Sequence, residues 1–271
     1  MIIRKSAAEI ERMAEAGAVV AHALELLGDL IRPGVTTAEL DRAAEEFIRS
    51  RGGVPTFLGY RGAVSPFPAS ICTSPNAMVV HGIPGGYRLE EGDVLSVDVG
   101  VTLGGFVADS AYTFAVGEVS GETAQLLDAG QAALAAGIEQ ARAGNHVGDI
   151  SAAIQSATEE AGFSVVRTLV GHGVGRSMHE EPQIPNFGHP GRGPRLQTGM
   201  TLAIEPMINA GRPEVVMEDD GWSITTADGS LSAHFEHTVA VTAEGPRILT
   251  LVGELPRIPG GPLAVPGRRG Q

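Results

Sequence analysis

Two aspartates, eleven positions apart, are the first residues with the type and spacing to do chemistry. Asp98 lies in an alternating aliphatic run, Val94 to Val101, and Asp109 lies in a similar run that follows. Gly104 and Gly105 permit a tight turn between the runs, so we expect a hairpin that brings both carboxylates to one site. Because two neighbouring anions repel each other, either one carboxylate is protonated or a cation lies between them.

The same pattern of an apolar strand that ends in an acid occurs a second time. Gly92 to Asp98 reads glycine, two residues, leucine, a small residue, a β-branched residue and an acid, and Gly199 to Glu205 reads in the same order. A further acid, Glu236, precedes a β-branched run, and a histidine lies in the glycine-rich segment from Gly171 to Gly175. The candidate ligands that emerge are Asp98, Asp109, His172, Glu205 and Glu236.

Four carboxylates and one imidazole form an oxygen-rich ligand set. Any one of these acids, taken singly, is more simply explained as a turn residue or a surface charge. Taken together, carboxylates placed repeatedly on apolar, β-branched strands are poor candidates for a solvated face. The set suits two divalent cations bridged by carboxylates, and paired cations favour hydrolysis of an acyl bond.

Composition excludes several other classes of protein. The 271 residues carry 19 Lys and Arg against 32 Asp and Glu, a net charge of −13, which disfavours nucleic acid or an anionic membrane as a partner. With Cys72 as the single cysteine, the chain has neither an internal disulfide nor a cysteine-based zinc site. The N-terminus lacks the apolar core of a signal peptide and no run is apolar enough to cross a bilayer, so we expect a cytoplasmic location.

Helices with clear start signals must support these strands. One capping box begins a helix predicted from about Ala7 to Leu27, with Gly28 as its end. A second capping box at Thr36 begins a helix that closes at Gly52. Because Gly17 lies on the apolar face of the first helix, we expect a neighbouring element to approach closely there.

The second half of the chain echoes the first. A helix predicted from about Gly121 to Ala141 precedes another, whose Asp149 falls 110 residues after Glu39, and the strand acids Asp98 and Glu205 differ by a similar 107. We therefore predict two related helix-helix-sheet halves, with chance similarity of short patterns as the alternative. The predicted units are halves at about 6–116 and 120–252, one catalytic domain at 1–253, and a Pro/Gly-rich tail at 254–271.

Three histidines lie where an imidazole could reach a site, because each adjoins glycine or an acid in a loop after apolar residues. They are His81, His172 and His179. Four others show no evident partner and are assigned no role, namely His22, His146, His189 and His234, while His237 is more simply a packed residue. No Gly-Xaa-Ser-Xaa-Gly elbow is present and Cys72 has no helix start beside it, so a covalent nucleophile is not supported.

Taken together, these motifs resemble the type I methionine aminopeptidases of bacteria. The match runs in order over residues 6–252 and comprises VVHGIP at 79–84, the Asp98 and Asp109 pair, GHGVG at 171–175, HEEP at 179–182, IEPM at 204–207, and SLS with EHT between 230 and 238. The resemblance implies the pita-bread α/β fold with pseudo-twofold symmetry. It also implies two divalent metal ions, cobalt, manganese, iron or zinc, held by the five candidate ligands.

The resemblance further implies a reaction and a role for each site residue. The enzyme would hydrolyse the initiator methionine from nascent proteins and peptides, preferably before a small second residue, by attack of a metal-bridging water or hydroxide. Glu205 would shuttle the proton, His179 would stabilise the tetrahedral intermediate, and His81 would assist at the scissile amide nitrogen. The walls of the methionine pocket would be Phe57, Tyr60, Phe67, Cys72, His81 and Trp222.

The implied partner is a peptide or nascent chain with a free N-terminal methionine. We expect the protein to be a monomer, and the ribosome is a possible further partner. Met178, which stands where many relatives have an aromatic residue, and a long loop at 61–70 depart from the family pattern. Two alternatives stay open. A proline-specific peptidase of the same fold would generally need an extra N-terminal domain, and a metal-free binding protein would not need so many buried carboxylates.

Overall fold

The computed structural model describes residues 1–251, so the predicted tail at 254–271 lies outside the described residues. Four helices are present in this range: Ala7–Leu30 (α1), Thr37–Ser50 (α2), Gly121–Gln140 (α3) and Val147–Glu160 (α4). The strands of the same range are Val54–Pro55 (β1), Cys72–Pro75 (β2), Met78–Val80 (β3), Val94–Leu103 (β4), Phe106–Ala115 (β5), Ser164–Val165 (β6), Val170–Gly173 (β7), Glu180–Pro185 (β8), Thr201–Ile204 (β9), Met207–Asn209 (β10), Val215–Met217 (β11), Ile224–Thr226 (β12), Ser232–His234 (β13), His237–Val241 (β14) and Pro246–Ile248 (β15).

The two aspartate-bearing runs form the predicted hairpin, β4 and β5. The strands pair in antiparallel register from Val94 opposite Ala115 to Leu103 opposite Phe106, and the two turn glycines adopt positive φ. Strands β1 and β2 also pair with β4, so the hairpin belongs to a four-stranded sheet. The prediction of a hairpin that carries both aspartates is confirmed.

A five-stranded sheet supplies the other half of the structure around the hairpin. Its strand order is β15-β14-β9-β7-β8, and the remaining strands form two three-stranded sheets, β13-β10-β6 and β11-β12-β3. The four-stranded and five-stranded sheets meet where β14 contacts β5. One continuous apolar core joins the two halves, with Val97 and Leu24 from the first half packed in the same cluster as Leu127 and Ile204 from the second.

Helix α1 packs on the hairpin, as its apolar face requires. Its N-terminus has the predicted capping box, with the Ser6 side chain accepting from the Glu9 N–H, but its predicted end at Leu27 is wrong. The helix continues through Gly28 to Leu30. Gly28 serves packing and does not end the helix, since a Cβ there would lie 2.8 Å from the Phe114 ring. The helix instead ends where the chain becomes extended ahead of a proline.

The helix pairs of the two halves correspond closely. Helices α2 and α4 each have 14 residues, and the residue before each helix forms an isolated bridge, Thr36 with Arg88 and His146 with Arg195. The short strand after each pair joins a long-range antiparallel partner, β1 with β4 and β6 with β10. These correspondences support duplication, which stays a prediction.

No helix among residues 1–251 combines the length and the hydropathy needed to span a membrane.

Gly17 marks the predicted close approach, which the structure confirms. A Cβ on Gly17 would lie 2.1 Å from the carbonyl oxygen of Leu249, the backbone that follows β15. We expect the overpacking in Gly17→Ala to lower the free energy of unfolding, measured in urea, by about 1–3 kcal/mol. The better helix propensity of alanine offsets at most about 1 kcal/mol of this loss.

A matched control for this substitution is Gly121→Ala, at the first residue of α3. A Cβ there has no neighbour within 4 Å, so this variant should unfold at the wild-type urea concentration or above it. Equal unfolding free energies for the two variants would contradict the steric account.

Candidate metal centre

All five candidate ligands line one cavity, although they come from five separate strands or strand ends. Asp98 lies on β4 and Asp109 on β5, His172 lies on β7, Glu205 follows β9 and Glu236 precedes β14. The remaining predicted site residues line the same cavity, namely Phe57, Tyr60, Phe67, Cys72, His81, His179 and Trp222, and Met178 joins them. The fold thus brings every residue singled out as a site residue to one place.

The distances within the cluster are those of ligand atoms around cations. One side-chain atom from each of Asp109, His172 and Glu236 lies within 4.8 Å of the other two. The Nε2 atom of His172 is 3.5 Å from Oε1 of Glu205 and 3.9 Å from Oδ2 of Asp109. These groups are close enough to share bound ions and too close to remain uncompensated anions.

The carboxylates also lack the donors that a buried acid normally has. Asp98 Oδ1, Asp109 Oδ1 and Glu236 Oε1 are buried without a hydrogen-bond partner in the described residues. An ionised carboxylate can only accept, and a buried acceptor left unsatisfied is costly. Divalent cations would satisfy these oxygens, so the residues present fit the ligand set of a metal centre.

Hydrogen bonds from the backbone hold the ligands in place. The carbonyl oxygen of Gly173 lies 2.9 Å from His172 Nδ1, so Nδ1–H donates to it and leaves the Nε2 lone pair for a metal. The backbone N–H of Asp109 donates to the Thr238 hydroxyl, which donates in turn to the Asp109 carbonyl oxygen. The His172 ring and the main chain at Asp109 are therefore held in place by the fold itself.

Burial controls the proton state of the cluster. It raises the pKa of Asp98 to about 6 and the pKa of Glu205 to about 7. Burial and then the charges of neighbouring acids raise the pKa of Asp109 and of Glu236 well above the ordinary values. Burial lowers the pKa of His172, which favours the neutral imidazole that binds metals. Without cations the cluster therefore retains protons that bound cations would displace.

His179 reaches the cavity from the loop that precedes β8. Its ring centroid is 4.3 Å from that of His172, and its Nδ1 is 2.5 Å from the hydroxyl oxygen of Tyr60. The loop is anchored by a buried ion pair, Lys5 with Glu180 at 2.5 Å, and the Glu180 carboxylate also accepts two backbone N–H groups of the loop. No motif in the sequence pointed to Lys5.

Aromatic side chains form the apolar wall of the cavity. The Phe67 ring packs edge-to-face on Phe57 and on Trp222, with centroids 6.4 Å and 5.1 Å away. The indole N–H of Trp222 donates to the Ser65 carbonyl oxygen, which ties the long 61–70 loop to this wall. The cavity is apolar on this side and charged on the metal side, as a site for an apolar side chain beside a reacting group would be.

Two further wall residues have unusual environments. His81 has φ of +60°, a left-handed conformation that is strained for a residue with a side chain, and burial lowers its pKa to about 4. The Cys72 thiol is buried, and its pKa is raised well above the usual value by burial and by the nearby acids. A thiol with a raised pKa is a poor nucleophile.

His234, which shows no evident partner in the sequence and is assigned no role there, lies beside Glu205 in the structure. Its ring is buried, and Nε2 lies 3.5 Å from Oε2 of Glu205. Strand β13 places it there by pairing His234 with Met207, two residues beyond Glu205. The available signal was the spacing to Glu236, since residues two apart on an extended chain face the same side.

Comparisons with known proteins identify the class. The family model described as metallopeptidase family M24 matches residues 11–243. A methionine aminopeptidase of Clostridium perfringens is 52% identical over 252 residues, which are 93% of this chain and 100% of that protein. The crystal structure of methionine aminopeptidase from Rickettsia prowazekii superposes with a TM-score of 0.90 at 42% identity, covering 93% of this chain and 100% of that chain.

A prolidase from Pyrococcus furiosus shares the fold alone, with a TM-score of 0.73 at 21% identity over 93% of this chain and 66% of that chain. The chain belongs to metallopeptidase family M24 and has the pita-bread α/β fold. The resemblance to the methionine aminopeptidases that its motifs indicate is thereby confirmed, and the chain is a metal-dependent hydrolase.

The raised carboxyl pKa values predict how pH changes the stability of the metal-free protein. Between the unfolded pKa near 4 and the folded values near 6 to 7, the folded state binds more protons than the unfolded state. Stability from these groups is therefore present at acid pH and is lost as the pH rises through about 7.

Added Mn²⁺ should reverse that loss. At pH 8 and 100-fold excess over Kd, cation binding stabilises the folded protein by about 2.7 kcal/mol, which raises Tm by about 5–10 °C. At pH 5 the rise should be smaller, since protons compete with the cation. Differential scanning calorimetry of chelator-treated protein measures both effects, and a Tm that ignores Mn²⁺ at pH 8 would contradict the account.

Proposed function

We propose that this chain removes N-terminal methionine from peptides and nascent proteins, with the five candidate ligands as its metal centre. The proposal rests on one observation: aromatic side chains and carboxylates whose buried oxygens lack hydrogen-bond partners line the same cavity. Relatives that are 52% and 42% identical are methionine aminopeptidases, and both are covered over their whole length.

The cofactor follows from the donor set. Asp98, Asp109, His172, Glu205 and Glu236 would hold two divalent ions of cobalt, manganese, iron or zinc, because hard oxygen donors with one imidazole accept each of these. When bound, such ions supply Lewis acidity, which activates water and stabilises developing negative charge. The cluster gains the countercharge that its buried carboxylates lack.

The remaining chemistry is assigned to side chains of the cavity. Glu205 would carry a proton from water to the leaving amine, a role that its pKa of about 7 suits. His179, held through Tyr60, would donate to the carbonyl oxygen as charge develops on it. His81 would contact the scissile amide nitrogen, and its strained backbone holds the ring against the cavity.

The apolar wall selects the side chain of the first residue. An unbranched thioether packs favourably against aromatic rings, and Phe57, Phe67, Tyr60 and Trp222 present such rings around Cys72. The preference for a small second residue is carried over from the relatives. Because initiator methionine occurs on chains under synthesis, we also propose a cytoplasmic monomer that acts near the ribosome.

A comparison of substrates tests the activity. The metal-free protein, reloaded with Mn²⁺ or Co²⁺, should release methionine from Met-Ala-Ser and should act much more slowly on Met-Leu-Ser. Its kcat/KM for Ala-Pro should be lower by about 100-fold or more, since the pocket is fitted to the first side chain rather than to a proline ring. Faster turnover of the Ala-Pro substrate would favour the proline-specific alternative, and binding of methionyl peptides without turnover would favour a binding protein.

Glu205→Gln tests the proton carrier. The amide keeps an oxygen for the metal but cannot accept a proton at neutral pH, so we expect cations to bind while kcat for Met-Ala-Ser falls by about 10²–10⁴-fold. Metal content by mass spectrometry and steady-state kinetics measure the two effects. Glu46→Gln on the exposed side of α2 is the matched control and should keep wild-type kcat. Full activity in the Glu205 variant would remove this residue from catalysis.

A further inference from the structure

His234 is a buried histidine that lies outside the five ligands and the two accessory histidines. It ends strand β13, and only 2% of its surface is exposed. Its backbone N–H donates to the Thr113 hydroxyl, and that hydroxyl is also 2.8 Å from the His234 carbonyl oxygen. Since Thr113 lies on β5, the strand that carries Asp109, the main chain at His234 is fixed to the hairpin.

The Nε2 atom of the His234 imidazole has no hydrogen-bond partner among the described residues. Nε2 is buried and unpaired among the described residues, and it lies 3.5 Å from Oε2 of Glu205. The other carboxylate oxygen of Glu205, Oε1, lies at the same distance from Nε2 of His172. Glu205 is therefore flanked by two imidazoles, one beside each oxygen.

The imidazoles of His172 and His234 differ in whether they line the cavity. The described residues that line it include His172 and Glu205 but not His234. The His234 ring therefore lies beside the Glu205 carboxylate without lining the cavity itself. A side chain in that position acts on the site through Glu205 and not by direct contact with the reacting atoms.

We propose that His234 is a positioning residue, whose Nε2–H donates to Oε2 of Glu205 and holds that carboxylate in the orientation that binds metal and carries the proton. The inference rests on the proposed function of the metal centre. A shift of about 0.5 Å closes the present separation to hydrogen-bond length, and it satisfies a donor that otherwise stays buried and unpaired. Groups that orient a ligand in this way commonly control metal affinity.

A pair of near-isosteric variants separates the donor from the shape of the side chain. His234→Gln supplies an amide N–H of similar reach, whereas His234→Met has similar length and no donor. We expect the Gln variant to keep Mn²⁺ affinity and kcat within about 3-fold of wild type. The Met variant should lose about 10–100-fold in Mn²⁺ affinity by calorimetry and a similar factor in kcat, with KM for Met-Ala-Ser within about 2-fold.

The control is His22→Met on the exposed side of α1, which should match wild type in every measurement. Wild-type values in the Met variant of His234, or equal losses in its Gln and Met variants, would overturn the donor role. Turnover of Met-Ala-Ser by the wild-type protein tests the proposed function separately. If the wild-type protein does not turn over this substrate, the proposed function fails; if it does and the His234 variants behave alike, only the role of His234 fails.

A second test is made on the wild-type protein, so its result does not depend on how well the His234→Met variant folds. Nitrogen-15 NMR of the zinc-loaded protein reports which ring nitrogen of each histidine carries the proton, and the His234 signal is assigned by its loss in His234→Gln. The proposal predicts the Nε2–H tautomer for His234. The Nδ1–H tautomer would leave Nε2 as an acceptor or a metal ligand and would overturn the proposal.

Discussion

Mutual repulsion among buried carboxylates is the constraint on which this structure depends. Asp98, Asp109, Glu205 and Glu236 line one small cavity, and burial raises the pKa of each. Ionised acids so placed are unstable unless countercharge accompanies them, and the raised carboxyl pKa values indicate that the acids hold protons while no cation is bound. On the proposed assignment, the protein exchanges protons for divalent cations, and the chemistry of the site begins from that exchange.

The fold resists this repulsion by fixing each acid from a separate strand. The β4–β5 hairpin carries two aspartates, and β14 is bound to β5 through the paired hydrogen bonds of Thr238 with Asp109. Helix α1 backs the hairpin and meets the chain after β15 at Gly17. Because one apolar core spans both halves, the ligands cannot separate without disrupting it.

Local patterns predicted much of this arrangement, and the errors have physical reasons. Alternation and turn glycines gave the hairpin with Asp98 and Asp109, and capping boxes gave the helix starts. The end of α1 was wrong because Gly28 serves packing against Phe114, which local sequence does not reveal. His234 was overlooked because its neighbour Glu205 comes from another strand, and a contact set by β10–β13 pairing is not local. The pocket residues were located through the resemblance to a known family, because residue spacing alone did not indicate them.

Proton release on metal binding tests the central claim most directly. Calorimetric titration of the chelator-treated protein with Mn²⁺ at pH 7, repeated in buffers of different ionisation enthalpy, gives the number of protons displaced by the cations. The account predicts release of about one proton or more at pH 7, declining as the pH rises above the raised carboxyl pKa values. Binding of Mn²⁺ without proton release at pH 6 to 7, or no binding at all, would contradict it.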